Sequence, residues 1–216
     1  MTIFVLVPGA DGRAWYWHRV IPELRAQGRE AVAVDLPPQG GLTEHADAIV
    51  AAIGGRRDVV LLAQSLAGFT APLAAARVPV AGLVLVNAMV PRPGESAGDW
   101  WDNTGQAEAS RAVRGGAEFD VRADFFHDVP PEVTEEAFAA GPPGGPSDLL
   151  FSQPWPLPAW PDVPTRFLQG RDDRFFPLEF QRRVVAERLG IPVEELPGGH
   201  LIALSQPKAL AEGLIG

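Results

Sequence analysis

Six short apolar runs, separated by helix-compatible stretches, constrain this chain more than any other feature. They cover residues 2–7, 30–35, 58–63, 81–87, 165–169 and 193–196. Helical patterns fill residues 14–27, 43–53, 66–77, 178–189 and 206–214. The runs at 2–7, 58–63 and 81–87 are apolar at nearly every position instead of at alternate ones, which is the pattern of strands covered on both faces. Alternating β and α segments of this kind predict an α/β fold. It is a doubly wound, mostly parallel sheet of about six strands, with helices on both faces. A chain of 216 residues is long enough for one domain with a sizeable core, and the whole chain is read as that single domain.

One segment, residues 89–163, breaks the rhythm. It is dense in proline and has no strand pattern, yet it holds Trp100, Trp101, Phe119, Phe125, Phe126, Phe138, Phe151, Trp155 and Trp160. A disordered linker would be poor in aromatics. A long ordered insertion in a compact domain is usually functional. The segment therefore reads as a cap over the carboxyl ends of the strands, where open α/β sheets bind ligands. Trp100, Trp101, Phe125, Phe126 and Trp155, with Phe175 beyond the segment, are the candidate substrate-binding residues of an apolar pocket. Two or three of these six are expected to touch ligand and the rest to be core.

Ser65 lies between the run ending at Ala63-Gln64 and the small-residue stretch Leu66-Ala67-Gly68-Phe69-Thr70. A serine on a sharp strand-to-helix turn projects its hydroxyl out of the sheet, and the new helix aims free N–H groups at whatever that hydroxyl attacks. The turn needs small neighbours. Ala63 and Ala67 occupy the positions that are glycine in G-x-S-x-G, and Gly68 follows one residue late. A helix-capping serine would give the same string, so the partners decide.

A nucleophilic serine needs a base, and the base an orienting acid. His200, in the loop Pro197-Gly198-Gly199-His200 after the last strand, is the base candidate. His18 falls among Trp15, Tyr16 and Trp17 and reads as packed or surface, His45 as solvated, and His127 as a surface residue of the cap. The loop after the fifth run supplies two adjacent carboxylates, Asp172 and Asp173, only one of which can face the histidine. For the oxyanion, two backbone N–H donors are needed. Leu66, directly after the serine, and Ala10, in the glycine-bearing loop after the first strand, are the candidates. That loop carries neither G-x-G-x-x-G nor G-K-[ST], so a nucleotide site is not expected.

Composition removes other classes. A net charge of −9 offers no basic stripe for nucleic acid. There is no cysteine, and no two histidines stand at metal-ligand spacing, so disulfides, thiolate catalysis, a metal and other cofactors are not expected. Neither a secretory leader nor a membrane-spanning stretch is visible, and the protein is read as cytoplasmic. The partner expected is a small ester-like molecule. Oligomeric state is not readable.

With these residues placed, the chain resembles the α/β-hydrolase superfamily over nearly its whole length. It is most similar to the small-enzyme branch of plant methyl-ester esterases and hydroxynitrile lyases. The resemblance rests on Phe4 to Ala10 with Trp15-Tyr16-Trp17, on Val34 to Pro37, and on Ala63 to Gly68. It extends over Ala159 to Pro164, Gly170 to Asp173, and Gly198 to Leu201. The family pattern G-x-x-D-x-x-x-P falls on Gly170, Asp173 and Pro177, which favours Asp173 as the acid. Pro8 stands where the family usually has histidine, and the first two strands of the larger family sheet are absent. The resemblance implies a serine hydrolase of a small ester or lactone. The alternative is non-hydrolytic use of the scaffold as a lyase, cyclase or ligand-binding protein. For the cyanide-releasing lyases it implies a cap lysine, and Lys208, the only lysine, is outside the cap.

Overall fold

The computed structural model describes residues 2–139 and 144–216. Six strands form one sheet: β1 (Ile3–Val7), β2 (Glu30–Ala33), β3 (Val59–Gln64), β4 (Gly82–Val86), β5 (Thr165–Gly170) and β6 (Val193–Leu196). All are parallel, in the order β2-β1-β3-β4-β5-β6. Eleven α-helices are described: α1 (Val20–Ala26), α2 (Leu42–Ile53), α3 (Ala67–Ala75), α4 (Ala97–Thr104), α5 (Gln106–Val113), α6 (Val121–Phe125), α7 (Pro131–Phe138), α8 (Asp148–Ser152), α9 (Leu178–Leu189), α10 (Ile202–Ser205) and α11 (Pro207–Ile215).

The two-residue period of the strands divides the core. Val5, Val7, Leu61, Ala63, Leu83, Leu85 and Phe167 point to one face, where Ile49 of α2, Phe69 of α3 and Val184 of α9 cover them. Phe4, Leu6, Leu62, Val84, Val86 and Leu168 point to the other, under Val20 and Leu24 of α1 and Leu210 and Leu214 of α11. This explains why β1, β3 and β4 are apolar almost throughout.

The strand order reverses once. The chain steps from β1 outward to β2, then returns past β1 to β3 and proceeds to β6. The carboxyl ends of β1 and β3, in register at Val7 and Ala63, therefore open onto a switch point. That is the place where such sheets bind ligands. The glycine loop after β1 and Ser65 after β3 both emerge there.

The expected helix over 14–27 is instead a 3-10 turn, Ala14–Trp17, followed by α1. Pro22 accounts for the break: it fits the first turn of a helix beginning at Val20 but would lie inside the longer one, lacking an N–H there. His45 is buried, not solvated. It shares the inner face of α2 with Leu42, Ala46 and Ile49, and its Nε2–H donates to the Pro37 carbonyl at 3.1 Å. Burial lowers its pKa from the ordinary 6.5, against a smaller opposing effect of that hydrogen bond.

Helices α4 to α8 lie between β4 and β5 and enter both cores. Trp100, Leu150 and Trp155 join the α3 side, and Phe126, Val129, Val133 and Ala137 the α1 side. Trp100 donates to the Val90 carbonyl at 3.1 Å and Trp155 to the Phe69 carbonyl at 3.0 Å. At the root of the segment, Arg188 of α9 and Glu95 form an ion pair whose side chains are 2% and 4% exposed, with Asn103 also donating to Glu95. Among the described residues no helix is long and apolar enough to cross a membrane.

Candidate active site

Ser65 has a φ of 53°, in the left-handed region that a non-glycine residue rarely adopts. The surrounding backbone holds it there. Its N–H donates to Val86 at 3.1 Å, and its carbonyl accepts from Gly68 at 3.1 Å and Met89 at 3.0 Å. The demand for glycine falls on Gly68, where a Cβ would be driven into the Met89 carbonyl. Ala63 and Ala67 are simply buried. The late glycine in the sequence is thus the one that the turn requires, and alanine suffices at the two flanking positions.

Three side chains form a hydrogen-bonded line. Asp173 Oδ2 is 2.8 Å from His200 Nδ1, and His200 Nε2 is 3.1 Å from Ser65 Oγ. A carboxylate can only accept, so Nδ1 carries the proton, Nε2 keeps its lone pair, and the Ser65 hydroxyl donates to it. Ser65, Asp173 and His200 are only 8%, 3% and 2% exposed. The other oxygen of Asp173 accepts the N–H groups of Phe175 and Phe176 at 2.8 and 2.9 Å, and Gln169 Nε2 reaches Oδ2 at 3.2 Å. Asp172 faces away: its carboxylate accepts the Gly198 N–H at 3.1 Å and its side chain is 55% exposed.

Other residues that the sequence did not single out hold together the loops that bear Asp173 and His200. Asn87 is fully buried at the end of β4. Its Nδ2 donates to the carbonyls of Gly199 and His200, both at 3.0 Å, and its Oδ1 accepts the Gly170 N–H at 2.7 Å. One amide thereby ties the loop that bears Asp173 to the loop that bears His200. Asp128 accepts the Gly199 N–H at 2.6 Å from the inserted segment. His127, expected at the surface, has a side chain only 12% exposed and lies against Gly199, where a Cβ would come within 2.6 Å of Nε2. A fully apolar run ending in asparagine at a strand terminus was the only sequence signal available for Asn87.

Above Ser65 lies a cavity of about 360 Å³. Trp101, Phe125, Phe126 and Phe175 line it, as does Phe119, which was not among the six candidates. Trp100 and Trp155 do not line it. They are core residues, because each indole N–H is satisfied by a backbone carbonyl inside the fold. Ala10 and Leu66 also line the cavity, and among the described residues neither N–H is engaged in a backbone hydrogen bond. Tyr16 is at the wall, its phenol pushed up from the ordinary 10.0 by burial and so neutral. Among the described residues no group of acidic, histidine or cysteine side chains could hold a metal ion.

A parallel α/β sheet with a serine on a strained turn at its switch point, beside a histidine and an aspartate, is the arrangement of a hydrolase fold. The sequence matches the alpha/beta hydrolase family over residues 4–213. It is 30% identical to the probable esterase PIR7A of Oryza sativa, over 98% of this chain and 95% of that one. It is 28% identical to a pyrethroid hydrolase of Sphingobium wenxiniae, over 99% of this chain and 86% of that one. The crystal structure of polyneuridine aldehyde esterase superposes with a TM-score of 0.82 at 22% identity, covering 100% of this chain and 98% of the other. The chain belongs to the alpha/beta hydrolase family, in the branch that holds these plant esterases, and is an enzyme of that family.

Proposed function

We propose that this enzyme cleaves small carboxylic esters or lactones by a Ser-His-Asp mechanism with an acyl-enzyme intermediate. The hydrogen-bonded line Asp173–His200–Ser65 at the floor of an apolar cavity carries the reading. The relatives named as esterases and as a pyrethroid hydrolase support it.

In this reading the Ser65 Oγ–H bond breaks as Oγ attacks the carbonyl carbon, and the proton passes to Nε2 of His200. Asp173 holds the ring in the tautomer that leaves Nε2 free to take it. The carbonyl oxygen becomes an oxyanion, stabilised by the N–H groups of Ala10 and Leu66, which stand without backbone acceptors. The Nε2 proton then moves to the leaving oxygen as the C–O bond breaks. Water then attacks the acyl carbon as His200 takes one of its protons, and the acyl–Oγ bond breaks as that proton passes from Nε2 to Ser65 Oγ, which releases the acid and restores the serine.

Trp101, Phe119, Phe125, Phe126 and Phe175 favour an apolar acyl or aryl group. No lysine is among the described lining residues, which favours hydrolysis over cyanide-releasing chemistry. The test is hydrolysis of p-nitrophenyl acetate and butyrate by the wild type and by Ser65→Ala. Turnover lost in the variant supports the reading. Equal turnover by both proteins, or none by a folded wild type, overturns it.

A further inference from the structure

Gln64, the residue directly before Ser65, is buried at the end of β3 and lines the cavity. Its side chain meets the histidine at the nitrogen that must do the chemistry. Gln64 Nε2 is 3.4 Å from His200 Nε2 and 3.4 Å from the His200 carbonyl oxygen. The carbonyl settles which end of the amide faces the histidine, since a carbonyl accepts only and the amide nitrogen must turn to it. The amide oxygen is then left against Gly9, and a Cβ on that residue would collide with it. Glycine at position 9 therefore makes room for the Gln64 carboxamide in this orientation, and the carboxamide lies between the loop after β1 and the histidine loop.

We propose that Gln64 is a positioning residue for the general base: its carboxamide donates one N–H to the His200 carbonyl and holds the other against Nε2, beside the Ser65 hydroxyl that takes the lone pair, so that it steadies the ring toward Ser65 and opposes a resident proton on that nitrogen. The proposal rests on the triad reading above. Its chemical consequence concerns both halves of each proton transfer. Once the Ser65 proton has moved to Nε2, two N–H groups point at each other, and the repulsion makes Nε2 a weaker base toward Ser65 and, by the same amount, a stronger acid toward the leaving oxygen. Asp173 acts at Nδ1 from the β5 side. Asp172 and Asp128 accept the N–H groups of Gly198 and Gly199, His127 lies beside Gly199, and the Tyr16 hydroxyl faces Ala203. Gln64 is the side chain outside the triad that meets Nε2 among the described residues.

The test compares the wild type with Gln64→Met, which keeps length and removes the donor, and Gln64→Glu, which puts an acceptor in its place. Two readouts are taken. One is the pH dependence of kcat/KM on p-nitrophenyl acetate. The other is the ¹⁵N titration of the His200 ring in the free protein, assigned by its loss in His200→Asn. With Met, kcat should fall roughly tenfold with little change in KM, and the His200 titration should move to higher pH. With Glu, the titration and the acid limb should both rise by about one pH unit or more, as an anion beside the ring demands. A Met variant with the wild-type titration and kcat overturns the proposal. Should that variant not fold, an unmoved titration in the Glu variant overturns it equally. The ring titration does not depend on turnover, so a wild type inactive on esters would defeat the hydrolase reading and leave the Gln64 proposal decidable.

Discussion

Asn87→Ala is expected to damage stability and catalysis together. The substitution leaves the Gly199 carbonyl and the Gly170 N–H without the partners they have at 3.0 and 2.7 Å, and leaves the His200 carbonyl only the Gln64 amide at 3.4 Å. Each buried backbone group left unpaired costs about 1 kcal/mol where water can refill the space, and up to about 3 where it cannot. Asn87 also has a φ of 45°, a conformation that asparagine tolerates better than alanine. That adds about 1 kcal/mol. The sum, about 3 kcal/mol or more, is a large share of the 5–15 kcal/mol that typically holds a domain folded. Urea denaturation at neutral pH, extrapolated linearly, measures the loss directly. Because the loops bearing Asp173 and His200 both hang on this amide, the proposed mechanism requires kcat to drop by roughly a hundredfold as well, as expected when a base is misplaced by about an ångström. Asn87→Asp isolates the donors: the Gly170 N–H keeps its acceptor, but a carboxylate now faces two carbonyls, and kcat should fall at least as far. A loss of stability below about 1 kcal/mol with kcat unchanged would refute the idea that this amide joins the loops.

Three further outcomes follow from geometry already described. Asp173→Asn should lower kcat by roughly 10³–10⁴-fold with little change in fold, measured on any ester the wild type turns over. Gly68→Ala should lower the thermal midpoint sharply or prevent soluble expression, because the Met89 carbonyl occupies the space of the new methyl. His45 should make stability fall on acidification. Its folded pKa lies below the ordinary 6.5, so the unfolded chain takes up the proton first; the contribution is complete above pH 6.5 and is lost as pH falls through the folded value. Melting midpoints between pH 7.5 and 5 should decline, and His45→Gln should flatten the decline.

β1, β3 and β4 could be read from sequence because a strand covered on both faces writes itself as an almost unbroken apolar run; β2, β5 and β6 carry residues such as Glu30, Arg166 and Glu194, yet all six fall within a few residues of their expected limits. The loops bearing Ser65, Asp173 and His200 were equally readable, since each stands at the carboxyl end of an apolar run. What escaped depends on distance in sequence. Asn87 finds its partners more than 80 residues away, and Gln64 meets His200 across 136 residues. No local pattern encodes such pairings. Trp100 and Trp101 show a different obstacle. They are neighbours on α4, about 100° apart around the helix axis. One is sealed in the core and the other faces the cavity, and composition alone does not select the face. His45 was legible after all: Leu42, Ala46, Ile49 and Ile53 recur at helical spacing around it, and that stripe outweighs its polar neighbours Thr43 and Glu44.

Helices α4 to α8 are woven into both halves of the core, with Trp100 and Trp155 on one side of the sheet and Phe126 and Val133 on the other. Such a segment is not an accessory that can be cut away or exchanged between relatives. A graft from another member of the family would have to refill two interiors at once. If the cavity takes substrate, its preference is open to point changes at Trp101 of α4 and Phe125 of α6, where one face of a helix can vary while its opposite face keeps the molecule folded, and at Phe119 in the stretch between α5 and α6.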